Sequence, residues 1–213
     1  MSHNSWEGLR IIDISPPINE QTAVFPGDIS YRRNISLDVT NGDHLTLSSI
    51  TTTLHVGAHA DAPNHYSKTG SGIHNRSLNL YVGPCAVIEV EKCEDGKIGL
   101  EHLPDELPAP RILFKTGSFP DSSNWNSDFW FFCPKLIEKF AHKGGILIGI
   151  DTPSIDSSDS KDLPSHQVVS ENDLAILEGV VLDHVKSGLY KLIALPLALV
   201  DADASPVRAV LIP

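Results

Sequence analysis

The sequence predicts an α/β fold with few helices, built as one domain over residues 1–213. Three observations carry this. The chain of 213 residues can enclose a substantial core, and no linker, repeat or low-complexity tract divides it. Short apolar runs of strand length recur at 83–90, 111–115, 146–150, 191–200 and 207–212. Helical signals are few: 134–142, 171–178 and one short turn within 91–110.

In order, Leu9 to Ile14 reads as a short strand that runs into the irregular Ser15-Pro16-Pro17. Pro26-Gly27-Asp28 is a tight-turn signal, and Phe25 before it is an aromatic on a loop, facing either the core or a substrate. Tyr31 to Thr40 and Leu45 to Leu54 are β-branched runs that pair as a hairpin across Asn41-Gly42-Asp43. Glu91 to Pro110, charged and rich in proline, makes surface connections. Ser118 to Asp128 is a polar loop with the composition of a lid. In 134–142, Leu136, Ile137 and Phe140 share one helical face, and Gly144-Gly145 stops the helix. The five apolar residues 146–150 form a buried strand, and Asp151 to Ser154 lies at its C-terminal end, where α/β sheets place ligands. Ser170 reads as the N-cap of a helix over 171–178, with His166 in the loop before it and Glu178 at its end.

Composition narrows the function. The charge of −11 argues against a general nucleic-acid-binding role. Cys85, Cys93 and Cys133 form no Cys-x-x-Cys pair, which suits free thiols in a reducing cytosol and argues against a thiolate metal site. Met1 to Arg10 has no signal-peptide pattern, and the longest apolar run, Leu192 to Val200, is interrupted by Pro196 and too short to span a bilayer. The expected location is cytoplasmic, with no membrane partner.

The chemistry concentrates in His55-Val56-Gly57-Ala58-His59-Ala60-Asp61-Ala62-Pro63-Asn64-His65. Imidazoles and a carboxylate recur there among small residues, and these are the ligand types of a catalytic divalent site. A straight strand would hold the backbones of His55 and His59 about 13 Å apart, too far to share an ion with Zn–N bonds of about 2.1 Å. Gly57 and Pro63 oppose a helix, so the strand must bend sharply near Gly57. His166 and Glu178 are the candidate ligands from the second half. Composition and spacing alone favour the plainer reading of each, His166 as a solvated loop histidine and Glu178 as an exposed charge at a helix end.

The 55–65 stretch resembles the His-x-Gly-Thr-His-x-Asp-x-Pro-x-His signature of the cyclase-like metal-dependent hydrolases. The resemblance extends to Asp13 to Pro17, Pro26 to Asp28, Gly149 to Ser154, Ser160 to His166, Leu192 to Leu197 and Asp203 to Arg208, and points to the formamidase branch. It implies a swivelling β/β/α cyclase-like fold with a mixed-sheet core, and a homodimer. It implies two Zn2+ ions per subunit, held by His55, His59, Asp61, His166 and Glu178, with Asp61 and Glu178 shared. His65 would be the general acid/base. The implied reaction on a small-molecule substrate is hydrolysis of N-formyl-L-kynurenine to L-kynurenine and formate. A cyclic amide such as isatin, or metal binding without turnover, are the alternatives, and such ligands also take Mn2+ or Cd2+. Two positions depart from the pattern. Ala58 stands where the family has Thr, removing a hydroxyl. Phe25 stands where it has Trp, keeping a stacking surface for substrate but not an N–H donor.

Overall fold

A computed structural model describes Gly8 and residues 10–213. In chain order the strands are β1 (Ile12–Asp13), β2 (Arg32–Leu37), β3 (Leu47–Thr51), β4 (His59–Asp61), β5 (Val82–Glu89), β6 (Lys97–Ile98), β7 (Arg111–Lys115), β8 (Phe131–Phe132), β9 (Leu147–Ile150), β10 (Ala175–Leu177), β11 (Gly188–Ile193), β12 (Ala204–Pro206) and β13 (Val210–Ile212). The α-helices are α1 (Pro63–Tyr66), α2 (Pro134–His142) and α3 (Pro164–Glu171).

Seven strands make one mixed sheet in the order β1-β13-β11-β5-β7-β9-β10. The first four pair antiparallel, whereas β5, β7, β9 and β10 run parallel. Strands buried on both faces read as continuous apolar runs, as β9 and β10 do along their whole length and β5 and β7 do in their central residues. On one face Ile112, Phe114, Ile148, Ile150 and Ile176 pack with Leu136, Ile137 and Phe140 of α2. On the other, Leu113, Leu147 and Leu177 pack with Ala58, Ala60 and Ala62.

That second face positions the site. The two-stranded ribbon of β4 and β12 lies over it, with Asp61 opposite Ala204 and His59 opposite Pro206. Successive strand side chains point to opposite faces. The alanines therefore enter the core while His59 and Asp61 face away from it. Ala58, the departure from the family pattern, is one of these core residues.

The β2–β3 hairpin forms as the sequence predicts. Asp38 caps its turn by accepting from Thr40 N, and Gly42 closes it at φ 95°. Ile35, Leu47 and Ile50 on it are exposed. The helix over 134–142 also matches. Leu9, in the first predicted strand, lies outside the described residues.

Two expectations are corrected. No helix covers 171–178: α3 ends at Glu171, and Ala175–Leu177 is strand β10, parallel to β9. Ser170 is thus inside α3, and His166 is on its first turn rather than in a preceding loop. Pro164 suits that turn because it lacks an N–H that would have no partner there. Capping comes from Asp156, whose carboxylate accepts from Ser165 N and His166 N. The second correction is at 191–200: β11 stops at Ile193, since Pro196 cannot donate to a strand ladder.

Candidate metal centre

After β3 the chain turns through Gly57 at φ 60°, the bend the motif requires, and the rings of His55 and His59 come to 5.0 Å. Glu178, following β10, bridges to the motif: His59 N donates to Glu178 O at 3.1 Å and Glu178 N to His59 O at 3.0 Å. Gly179 permits this approach, because a Cβ there would lie 2.2 Å from Gly57 O.

Asp61 is the centre of the cluster. His55 Nδ1 lies 3.1 Å and His59 Nε2 3.5 Å from its Oδ1, and His166 Nε2 lies 3.4 Å from its Oδ2. Glu178 meets His59 Nε2 at 3.1 Å through Oε2 and His166 Nε2 at 3.6 Å through Oε1. The structure therefore brings together all five residues singled out from the sequence as ligands. His65, on α1, stands beside them, its ring 4.3 Å from that of His55 and 6.0 Å from that of His166.

The outer nitrogens of the histidines are tied down. His59 Nδ1 is 2.9 Å from Gly57 O, His166 Nδ1 is 2.8 Å from Asp156 Oδ2, and His55 Nε2 is 2.9 Å from Asp203 Oδ2. Acceptors behind ligating histidines orient the ring and fix the tautomer. Their inner nitrogens converge on Asp61 and Glu178. Yet His59 Nε2 and both oxygens of Asp61 are buried without a hydrogen-bond partner. Buried polar atoms need partners, and one kind of group, a cation, would satisfy imidazole nitrogens and carboxylate oxygens together. The residues fit a divalent metal.

The electrostatics agree. Burial pulls the His55 imidazole down, but Asp61 and Asp203 outweigh it and push its pKa up to about 9. Burial likewise works against His166, but its bond to Asp156 and the nearby carboxylates of Asp61 and Glu178 push it up to about 10. His65 moves the other way, lowered chiefly by burial. Burial also raises the Asp151 carboxyl, against hydrogen bonds from Thr116 and Gly117.

A cavity of about 400 Å³ opens onto the cluster, within the range of roughly 300–1,000 Å³ for small-molecule sites. His55, His59, His65, His166 and Glu178 line it, as do Asp151 and Ser154 beyond β9. Phe25 lines it too, packed edge-on to Trp125 with ring centroids 5.0 Å apart. Sequence reasoning missed Trp125, Asp156 and Asp203. Trp125 was readable as an aromatic stranded in a polar loop, and Asp203 begins one of the blocks that carry the family resemblance. Nothing local marks Asp156.

Residues 12–157 match the family model Cyclase, and the chain belongs to that family. It is 47% identical over 206 residues to a kynurenine formamidase of Bordetella pertussis, with 95% of this chain and 97% of that protein covered. The kynurenine formamidase of Bordetella petrii is 45% identical over 204 residues, with the same coverage. A solved structure from Bacillus stearothermophilus, named a "predicted metal-dependent hydrolase", superposes with a TM-score of 0.81 at 28% identity, covering 96% of this chain and 98% of that one. No helix among the described residues is long and apolar enough to cross a membrane.

Proposed function

We propose that this protein is a metal-dependent amidohydrolase that converts N-formyl-L-kynurenine and water to L-kynurenine and formate. One observation carries the reading: three histidines with their outer nitrogens tied and their inner nitrogens converging on a buried, unpartnered Asp61. The relatives named kynurenine formamidase, similar along nearly the whole chain, support the substrate.

His55, His59, Asp61, His166 and Glu178 would hold two divalent cations, Zn2+ first among them, with Asp61 and Glu178 shared. When bound, such ions lower the pKa of water and polarise a carbonyl oxygen. The rest falls to side chains. Phe25 and Trp125 form an aromatic wall for the aryl ring, excluding water as they do so. His65, kept neutral by burial, takes a proton from the attacking water. It returns that proton to the aryl nitrogen as the C–N bond breaks, so that the amine and formate leave together.

The working unit is a homodimer of single-domain, cytoplasmic chains. The β2–β3 hairpin supports this: a two-stranded ribbon is marginal alone in water, and it exposes Ile35, Leu47 and Ile50. Light scattering tests the dimer, and a monomeric mass at micromolar concentration rejects it.

Metal analysis of the purified protein, with an N-formyl-L-kynurenine assay before and after chelation, tests the activity. Two ions per chain and turnover abolished by chelator and restored by Zn2+ are expected. Protein that holds two ions yet leaves the formamide intact overturns the substrate. Turnover that persists without metal overturns the centre.

A further inference from the structure

His55 is held differently from the other two inner histidines. At His59 the outer contact is Nδ1 to a main-chain carbonyl, which can only accept, so Nδ1 carries the proton and Nε2 is bare. His166 has the same polarity, with Nδ1 on Asp156 and Nε2 toward Asp61 and Glu178. At His55 the order is inverted: Nε2 points out to Asp203 at 2.9 Å, and Nδ1 points in, 3.1 Å from Asp61 Oδ1.

We infer that Asp203 is a positioning residue that sets the tautomer of His55, so that His55 meets the cation through Nδ1 while His59 and His166 meet it through Nε2. The inference rests on the metal centre proposed above. A neutral imidazole has one N–H and one lone pair. Asp203, as an acceptor on the outer side, draws the proton to Nε2 and leaves the lone pair of Nδ1 facing inward.

The backbone makes Asp203 a dependable partner. It directly precedes β12, the strand paired with the motif strand β4, and Ala62 N donates to Asp203 O at 2.8 Å. That main-chain bond does not involve the carboxylate, so Asp203 can be altered without unpinning the ribbon. The carboxylate has a second neighbour: Oδ2 is 3.9 Å from His65 Nδ1, at ion-pair range. One half-exposed oxygen thus faces both a proposed ligand and the proposed general base.

The test uses the full chain labelled with ¹⁵N-histidine and titrated with Zn2+ alone, read by long-range ¹H–¹⁵N correlation. Two histidines with protonated Nδ1 and metal-bound Nε2, and one of the reverse kind, are expected. Substituting His55 should remove the reversed pattern. Asp203→Ala should scramble that pattern and weaken Zn2+ binding about 10- to 100-fold. Asp203→Asn, which keeps an acceptor oxygen, should restore most of the affinity. A spectrum in which every metal-bound histidine uses Nε2 overturns the inference, as does an Asp203→Ala affinity within twofold of the parent. No histidine shift on adding Zn2+ would remove the metal centre itself, and this inference with it. If Asp203→Ala does not fold, the parent's spectrum decides alone.

Discussion

Replacing Asp156 by Ala should damage the fold and the centre together, by separable amounts. Its carboxylate accepts from Ser165 N at 3.0 Å, from His166 N at 3.1 Å and from His166 Nδ1 at 2.8 Å. All three donors are buried, so water cannot replace the lost acceptor. At a net ~1 kcal/mol for each hydrogen bond, the loss is about 3 kcal/mol. For a chain of this size, at about 2–4 °C per kcal/mol, the metal-free protein should melt about 6–12 °C lower. The same substitution frees the ring of His166, and loss of such a support typically weakens metal binding about 10- to 100-fold. Thermal denaturation of metal-free protein reads the first number and calorimetric titration with Zn2+ the second. A melting temperature within 2 °C of the parent, at unchanged affinity (the thresholds being approximate), would refute the capping and orienting roles together.

Four other outcomes follow from the same geometry. His65→Ala should keep its metal and lose turnover on the order of 10²-fold or more, so metal-free variant protein would move His65 into the ligand set. Asp61→Ala should lose metal and activity together, and full occupancy measured in that variant would contradict a shared carboxylate. Gly179→Ala forces a Cβ to 2.2 Å from Gly57 O at a residue with φ 64°, so denaturant unfolding should show a loss of about 2–4 kcal/mol, and a neutral result would mean the two segments separate easily. Asp13 is held below the ordinary 3.8 by its bond with Arg208, so its stabilising effect is present above that pH and lost as pH falls through the lower folded value. Asp13→Asn should therefore unfold at lower urea than the parent at neutral pH, by a gap that narrows as pH falls below 3.8, and a gap that does not narrow in acid would exclude the ion pair.

What the sequence made legible was local. The 55–65 motif places its candidate ligands, its bend and its alternating alanines within one short stretch, so its residue types and its turn at Gly57 could be read. The α2 helix has its face and its stop signal in adjacent residues. The α3 helix does not. Its cap, Asp156, arrives from the preceding loop, and the polar stretch around Ser170 imitated a start. Glu178 was singled out as a candidate ligand although its expected setting, a helix end, was wrong: it follows β10 and reaches the cluster through a bridge to His59. Asp203 and Trp125 enter only when distant segments meet, and that meeting is not written in spacing.

The contact between Gly57 and Gly179 has a consequence for how this centre tolerates change. The carbonyl that a side chain at 179 would strike is the same one that accepts the hydrogen bond from His59 Nδ1. A methyl group added at residue 179, which binds nothing itself, would thus tilt the neighbouring imidazole of His59. Wear at this bare main-chain seam should therefore show first as drifting metal occupancy in a protein that still folds.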